Sequence, residues 1–257
     1  MGAANDEDDL KAKALEIHRR LCRAYQCPIP YFQDLDPVGE LVSSLLSHRT
    51  KNADSGRAFR ALQARYARWE DMLEAPVAEV EATIKGVTWP ELKAPRLQAV
   101  LRAVAERRGG ELSLDFLEAM PVEDARSWLE ALPGVGPKTS AAVLSFSRLR
   151  KAALPVDSHH HRVAVRTGLI PASLDVGPAH RVLAAQLPPD WDAQQVYDNH
   201  EVLMLHGQRC CFYRDPACGR CPVLDLCPTG LAATAGGRPA VTGRRATGAG
   251  RTAARAG

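Results

Sequence analysis

The residues best suited to chemistry are cysteines close to the C-terminal end of the chain. Five of the seven cysteines lie between residues 210 and 227, and four of them have the spacing C-x6-C-x2-C-x5-C: Cys211, Cys218, Cys221 and Cys227. In a chain without a secretory signal, clustered cysteines bind metal more often than they form disulfides. Four thiolates at this spacing suit either a tetrahedral zinc ion or a 4Fe–4S cluster.

The surroundings of these cysteines refine the metal prediction. A zinc ribbon usually repeats the C-x2-C pair, and this segment has one such pair. Cys210 in place of Cys211 would lengthen the first gap to seven residues, so we interpret Cys210 as a neighbour of the ligands. Four thiolates carry net negative charge, which nearby cations must offset, and three arginines lie in the same loop: Arg209, Arg214 and Arg220.

A second stretch with chemical potential is LPGVGPK at residues 132–138. Glycine accepts positive φ and has no side chain over the backbone, so the amides of Gly134 and Gly136 can point outward with those that open the next helix. Such convergent amides form an anion site, for which phosphate is the obvious ligand. Lys138 places an ionisable group at the mouth of this turn. Its presence argues against the alternative, an ordinary helical hairpin packed in a core.

The elements that must position this turn are helices. Apolar residues at three-to-four spacing predict an amphipathic helix over 122–132, and the run from Thr139 to Leu144 predicts a second one. A helix, a Gly-x-Gly turn and a second helix resemble the helix-hairpin-helix motif, which grips the DNA backbone without regard to sequence.

The same spacing predicts helices elsewhere along the chain. We expect one over 10–25, one that Asp36 caps with Pro37 in its first turn, one capped by Asn52, and one from Pro95 to residue 104. Asp157 or its successor occupies the N-cap position of a helix over 159–167. No stretch alternates convincingly with period two, so the predicted fold class is all-α.

Composition limits the remaining possibilities. The chain has 257 residues, 46% hydrophobic and 25% charged, which suits a globular protein with one large or two small domains. No apolar run approaches the roughly 20 residues of a membrane span, and the acidic N-terminus is unlike a secretory signal. We therefore expect a cytoplasmic protein, located at the bacterial nucleoid. Cys22 and Cys27 are interpreted as a buried thiol and a loop thiol.

The net charge of +3 conceals an uneven distribution. Residues 229–257 contain five arginines and no acid, so residues 1–228 hold 28 basic against 30 acidic side chains. A nucleic-acid-binding face on the folded part must therefore be a local patch. The Gly/Ala/Thr/Arg composition of residues 229–257 predicts a disordered basic tail.

Three features in this order together resemble the endonuclease III family of base-excision DNA glycosylases, within the helix-hairpin-helix/Gly-Pro-Asp superfamily. They are the LPGVGPK stretch, the sequence PVDSH at 155–159 and the spaced cysteines. The resemblance covers about residues 8–228, including His206 and Gly207 ahead of the first cluster cysteine.

The resemblance implies a bilobal all-α protein. One domain, residues 30–151, would be a helical bundle with the helix-hairpin-helix. The other, residues 8–29 with 152–228, would bind a 4Fe–4S cluster through the four spaced cysteines. Double-stranded DNA containing damaged bases or abasic sites would bind across the cleft as the partner of a monomer, and the damaged nucleotide would flip into that cleft.

The resemblance also implies the catalytic residues. A glycosylase with lyase activity needs a neutral amine that attacks the sugar C1′ and forms a Schiff base, and the positive end of a helix favours a neutral Lys138. Asp157 would stabilise positive charge on the sugar and help the lysine lose its proton. The alternatives are a phosphate contact for Lys138 and a helix N-cap for Asp157, which could also do both jobs.

The resemblance assigns DNA contacts to the hairpin, at Gly134, Val135, Gly136 and Thr139, and two other places depart from the family pattern. Typical family members have a glutamine, which fills the space left by the flipped base, where this chain has Arg49 within SHRT at 47–50. The longer, cationic Arg49 could fill that space or bind a phosphate instead. The wedge loop, residues 86–94, is about two residues longer than in the family, so Val87 or Trp89 is the candidate for intercalation; the alternative is that Trp89 packs into the helical bundle. Three histidines follow Asp157, and neighbours on a helix point about 100° apart, so we expect ordinary core or surface contacts from them.

The predicted function is therefore a base-excision glycosylase that removes damaged, by family default oxidised, pyrimidines and cleaves abasic sites through Lys138. Two alternatives remain open because of the changed residue at position 49 and the altered wedge loop. One is a DNA-binding family member with lyase activity alone or very weak glycosylase activity. The other is a mismatch-specific glycosylase, although the mismatch enzymes of the superfamily lack this lysine.

Overall fold

The structure, a computed structural model, describes residues 2–235. In that range the chain forms twelve α-helices and three short 3-10 helices (Asp115–Ala119, Cys218–Arg220 and Leu224–Leu226), without a strand, which confirms the all-α prediction. The α-helices are α1 (Gly2–Tyr25), α2 (Pro37–Ser47), α3 (Asn52–Arg65), α4 (Trp69–Glu74), α5 (Val77–Thr83), α6 (Pro90–Arg107), α7 (Val122–Glu130), α8 (Pro137–Phe146), α9 (Ser158–Thr167), α10 (Val176–Ala184), α11 (Ala193–Arg209) and α12 (Pro228–Ala235). Among these, none has both the length and the apolar character to cross a membrane.

The two aspartates predicted as caps begin their helices by binding amides that have no acceptor within the helix. Asp36 Oδ1 accepts from the Gly39 amide at 2.9 Å, and Pro37 occupies the first position of α2, where its missing N–H costs nothing. Asp157 Oδ1 accepts from the His160 amide at 2.7 Å and so begins α9. Both predicted caps are confirmed.

The buried apolar side chains form two cores. The first contains residues from Val38 to Ala153 and packs α2 to α8 together. The second contains residues from Ala14 to Val223 and packs α1 against α9, α10 and α11, so the beginning of the chain packs against its C-terminal half. Helix α8 of the first group contacts α10 and α11 of the second, and the two groups of helices meet there.

Several helices begin at other residues than the sequence predicts, and α1 begins at Gly2 rather than at residue 10. Asn52 is the first residue of α3 rather than its cap, since Lys51 precedes the helix without a side-chain bond. Helix α6 begins at Pro90 and contains Pro95 within its first two turns. Pro90 occupies the first position, where its missing N–H costs nothing, whereas Pro95 lies inside the helix and leaves one first-turn carbonyl without its usual donor.

Residues 229–235 correct the predicted start of the disordered tail. They belong to α12, which packs on α9. The five arginines of the predicted tail, at 238, 244, 245, 251 and 255, lie outside the described residues.

Cys22 and Cys27 form a disulfide, which corrects their interpretation as separate thiols. Helix α1 ends at Tyr25, and the Cys27 amide donates to the Cys22 carbonyl at 3.1 Å. This turn brings the two Cα atoms within 4.9 Å of each other, a separation that a disulfide can span.

Candidate active site

The Gly-x-Gly turn joins α7 to α8. Gly134 has φ of 76°, a conformation that favours glycine. The Val135 amide donates to the Leu132 carbonyl at 3.2 Å, whereas the amides of Gly134 and Gly136 have no acceptor among residues 2–235. Helix α8 has no side-chain cap, so its first-turn amides are also available. The turn therefore offers several N–H groups to an anion at a helix N-terminus.

Two of the predicted DNA contacts in this turn have buried side chains. Val135 is 6% exposed and belongs to the first core, and its amide is already bonded within the turn. Thr139 is 1% exposed, and its Oγ1 lies 3.1 Å from His48 Nε2. For Thr139 the backbone amide, rather than the hydroxyl, is the group able to bind an anion.

Lys138 and Asp157 line the same cleft, which has a volume of about 1070 Å³ and lies between the two groups of helices. Lys138 is in the first turn of α8, and Asp157 precedes α9. His200 and Glu201 from α11 and Glu40 from α2 are among the other ionisable residues that line it. The fold thus brings together the two residues that the sequence places nineteen positions apart.

Asp157 is held as a carboxylate. Burial alone would raise the pKa of Asp157, but His200, the His160 amide and further imidazoles outweigh it and hold the pKa below its ordinary value. Burial lowers the pKa of His200 to about 4, so this imidazole is neutral at pH 7. At neutral pH the bond from the His160 amide is therefore the contact that sustains the negative charge.

A buried lysine also lines the cleft. Lys93 Nζ donates to the carbonyls of Leu46 at 2.7 Å and His48 at 2.8 Å, and to Thr50 Oγ1 at 2.7 Å. The two carbonyls lie at the end of α2, where they have no helical donor. Burial lowers the pKa of Lys93 to about 8, so the ammonium with its three donors predominates at pH 7. Lys93 thereby fixes the segment that carries Arg49.

Replacement of Lys93 by methionine should lower the free energy of unfolding by about 2 kcal/mol or more, because the substitution leaves buried acceptors without a donor. Urea unfolding followed by circular dichroism measures this change. Lys85, which is exposed, provides the matched Lys→Met control and should change the value little. Equal stability of the two variants would contradict a structural role for Lys93.

The loop with Arg49 is tied to the loop with Trp89. The Thr88 hydroxyl donates to the Arg49 carbonyl at 3.0 Å, and the Arg49 guanidinium lies 5.9 Å from the centre of the Trp89 ring. Both residues have left-handed φ, 52° for Arg49 and 54° for Trp89. Such strain in non-glycine residues is typical of functional loops. Arg49 and Trp89 both line the cleft.

Of the two residues predicted as a wedge, Val87 is 5% exposed and belongs to the first core. Its burial excludes intercalation in this conformation. Trp89 is 47% exposed, so the structure presents its ring to a ligand. The alternative in which Trp89 packs inside the helical bundle is wrong.

The four spaced cysteines and Cys210 line one cavity beside α12. The Gly230 amide donates to Cys227 Sγ at 3.3 Å, and a Cβ on Gly230 would lie 2.8 Å from Leu224 Cδ1. The missing side chain therefore lets the Gly230 backbone lie close to Leu224 and to the Cys227 sulfur. A sulfur-lined cavity with amide donors fits a metal–sulfur cluster.

The cation nearest to these sulfurs is one that sequence reasoning missed. Arg166 Nη1 from α9 donates to Cys211 Sγ at 3.3 Å, and Arg162 Nε donates to the Cys211 carbonyl at 3.0 Å. The three arginines within the loop itself donate no hydrogen bond to a cysteine sulfur of the described residues, and Arg220 donates to the Arg209 carbonyl instead. Only contact across the fold reveals Arg166, since it precedes Cys211 by 45 residues.

Cys210 also lies close to a predicted ligand. The ligand atoms of Cys210, Cys221 and His206 lie within 4.8 Å of one another, and His206 Nε2 is 3.4 Å from Cys221 Sγ. His206 therefore belongs to the surroundings of the cluster site.

The chain is similar to known proteins over most of its length. Residues 42–185 match the family described as HhH-GPD superfamily base excision DNA repair protein. Endonuclease III of Escherichia coli (strain K12) is 32% identical over 217 residues, which make up 84% of this chain and 95% of that protein. A relative from Arabidopsis thaliana is 29% identical over 197 residues, which make up 77% of this chain and 65% of that protein.

The fold is similar to that of solved endonuclease III complexes. The structure of a trapped covalent intermediate of endonuclease III with DNA aligns with a TM-score of 0.73 and covers 87% of this chain and 98% of that one. The sequence identity of the two chains is 23%, so this similarity concerns the arrangement of the helices.

Proposed function

The chain belongs to the HhH-GPD superfamily of base excision DNA repair proteins, and we propose that it removes oxidised pyrimidines from DNA and cleaves the strand at the resulting abasic site. The general class of this activity is base-excision DNA glycosylase. The observation that carries the proposal is the shared cleft of Lys138 and Asp157 beside the anion-binding turn.

Lys138 is the proposed nucleophile at the sugar. Its neutral Nζ forms a bond to C1′ while the bond from C1′ to the base breaks and the base takes the electron pair. Asp157 stabilises the positive charge that develops on the sugar and accepts a proton from the lysine nitrogen. Opening of the sugar ring then gives the Schiff base.

The Schiff base explains strand cleavage without hydrolysis. It withdraws electrons from the sugar, so a proton leaves C2′ and the phosphate on C3′ departs with its bonding electrons. Water then releases Lys138 from the product. The amides of Gly134 and Gly136 are suited to bind a phosphate of the DNA backbone and so place the sugar at the lysine.

We propose that the two cores act as the two domains expected from the family, residues 30–151 and residues 8–29 with 152–228. The duplex would then lie across the cleft between them. Arg49 would fill or flank the gap left by the flipped base, and Trp89 would stack at that gap. A monomer would suffice, since both proposed catalytic residues are in one chain.

Trp89→Ala should raise the Kd for duplex DNA with an abasic-site analogue by about tenfold, because base–aromatic stacking contributes about 1–3 kcal/mol. Fluorescence anisotropy with labelled duplex measures the Kd. Val77→Ala, which removes another exposed apolar side chain, should leave the Kd unchanged. An unchanged Kd for the Trp89 variant would refute stacking by this ring.

Cys211, Cys218, Cys221 and Cys227 are the residues proposed to hold a 4Fe–4S cluster. When bound, the cluster would fix the loop that approaches DNA, and it supplies no step of the proposed reaction.

Cys218→Ala should therefore remove the brown colour and most of the iron of the purified protein, because one of four thiolate ligands is lost. Visible absorption and iron analysis measure both. Cys210→Ala should retain colour and iron, since Cys210 is not among the proposed ligands. Loss of iron in the Cys210 variant but not in a Cys211 variant would show that Cys210, rather than Cys211, is a ligand. A colourless zinc protein would reject the cluster.

The proposed function is tested by incubation with duplex DNA that contains one oxidised pyrimidine. An enzyme with lyase activity nicks the strand without alkali treatment, whereas a glycosylase without it leaves an intact abasic strand that breaks only in alkali. We expect nicks without alkali. Breaks that need alkali would reject the lyase step, and intact DNA under both conditions would reject the oxidised pyrimidine as substrate.

A further inference from the structure

The cleft contains a buried acid whose hydrogen-bonding partner is missing. Glu201 on α11 is 9% exposed, lines the cleft, and has no hydrogen bond or ion pair from its side chain to any residue in 2–235. Buried polar side chains in folded proteins nearly always have a partner. Because Glu201 lines the cleft, a ligand bound there can form this bond.

A second cleft acid shows what a satisfied carboxyl looks like. Glu40 on α2 is 2% exposed, but its Oε2 accepts from Gln33 Nε2 at 2.6 Å and its Oε1 accepts from Ser44 Oγ at 2.9 Å. Both oxygens of Glu40 are thus bonded within the protein, whereas those of Glu201 are available.

The surroundings of Glu201 favour its neutral form. Burial first, and then the negative charges of Asp157 and Asp198, raise the pKa of Glu201 to about 7. Tyr197 also interacts with it, and the same cleft is lined by Lys138, His200 and Glu40, whose own pKa burial raises to about 7. A neutral carboxyl has an O–H donor and an acceptor oxygen, so it can give a hydrogen bond or a proton to a ligand.

We propose that Glu201 contacts the flipped base and donates its proton to that base as the base leaves. The inference rests on the proposed glycosylase function. As the bond from C1′ to the base breaks, the electron pair moves to the base and the Glu201 proton moves to a carbonyl oxygen or ring nitrogen of the base. Lys138 forms the new bond to C1′, and Glu201 is left as a carboxylate. The substrate class is a base that has such an acceptor on the edge facing α11.

This division of roles separates the two reactions of the cleft. Lys138 and Asp157 act at the sugar, which is present in both a damaged nucleotide and an abasic site. Glu201 acts on the base, which an abasic site lacks. Loss of its proton should therefore slow base excision and spare cleavage of a preformed abasic site.

The test compares wild type and Glu201→Gln in two reactions: single-turnover excision of an oxidised pyrimidine and cleavage of a preformed abasic site. Both are measured from about pH 5.5 to about pH 9, a range over which the Glu201 carboxyl should lose its proton. We expect the variant to excise about 100-fold more slowly, the usual lower range for loss of a general acid, and to cleave the abasic site at the wild-type rate. The decline of wild-type excision above pH 7 should flatten in the variant. Glu74→Gln, an exposed acid on α4, is the matched control.

Thermal unfolding checks that both variants are folded. Excision at the wild-type rate by a folded Glu201→Gln protein would overturn the inference and leave the proposed function intact. Equal slowing of excision and abasic-site cleavage would also overturn it, because a contact with the base cannot affect a substrate without one. A wild-type protein that neither excises nor cleaves would refute the proposed function and this inference with it.

Discussion

Lys138→Ala is expected to lower both the rate of base excision and the rate of abasic-site cleavage by at least about 10³-fold, because the variant lacks the proposed nucleophile of both reactions. Lys138 lies at the start of α8 and lines the cleft. Its side chain has no hydrogen bond or ion pair to another residue in 2–235, so its removal leaves no buried group without a partner. Single-turnover kinetics with the two DNA substrates measure the effect.

The matched control for this change is Lys85→Ala, which removes an exposed lysine outside the cleft and should keep both rates. Binding of an uncleavable abasic-site analogue reports whether the Lys138 variant still recognises DNA. If Lys138 only contacted a phosphate, its removal would weaken binding and leave the rate at saturating protein near the wild-type value. That result would contradict nucleophilic catalysis.

Asp157→Asn is expected to reduce the excision rate by about 10²-fold or more, since a neutral amide can neither balance positive charge on the sugar nor accept the lysine proton. Asparagine caps helices about as well as aspartate, so the bond to the His160 amide at the start of α9 can persist. The variant therefore separates the two roles of this residue.

Asp157→Ala provides the comparison, because it removes both the charge and the cap. We expect the alanine variant to lose about 1 kcal/mol of folding free energy relative to the asparagine variant, with a similarly low excision rate. Urea unfolding and single-turnover excision on the same preparations measure both quantities. Wild-type excision by Asp157→Asn would show that capping is the sole function of this residue.

The features best predicted from the sequence are those that depend on residues close together in the chain. The caps at Asp36 and Asp157 and the turn at Gly134 follow from residue types within a few positions. The all-α class follows from the spacing of apolar residues, which repeats through the whole of both cores. Lys138 and Asp157 could be paired because both belong to motifs of one family.

Contacts between distant segments could not be predicted in this way. Lys93 holds the end of α2 through three bonds that span 43 to 47 residues. Arg166 contacts a cysteine sulfur from another helix, and Glu201 lines the cleft without a side-chain hydrogen bond to any residue in 2–235. Each of these roles depends on the burial of a polar side chain. The spacing of apolar residues predicts which face of a helix is buried, but not whether a single polar residue is buried.

The burial of Val87 is another feature that the sequence could not predict. Sequence comparison with the family pattern places Val87 and Trp89 in one loop of altered length, and either could serve as the wedge. The fold decides between them, because Val87 completes the first core and the left-handed turn at Trp89 presents the ring at the cleft.

The central claim is that the Lys138 nitrogen forms a covalent bond to the sugar of the DNA. Borohydride reduces a Schiff base and so traps protein on duplex DNA that contains an abasic site or an oxidised pyrimidine. We predict a covalent complex with wild type on both substrates and none with Lys138→Ala. Undiminished trapping by the Lys138 variant, or no trapping by a wild-type protein that binds this DNA tightly, would contradict the account.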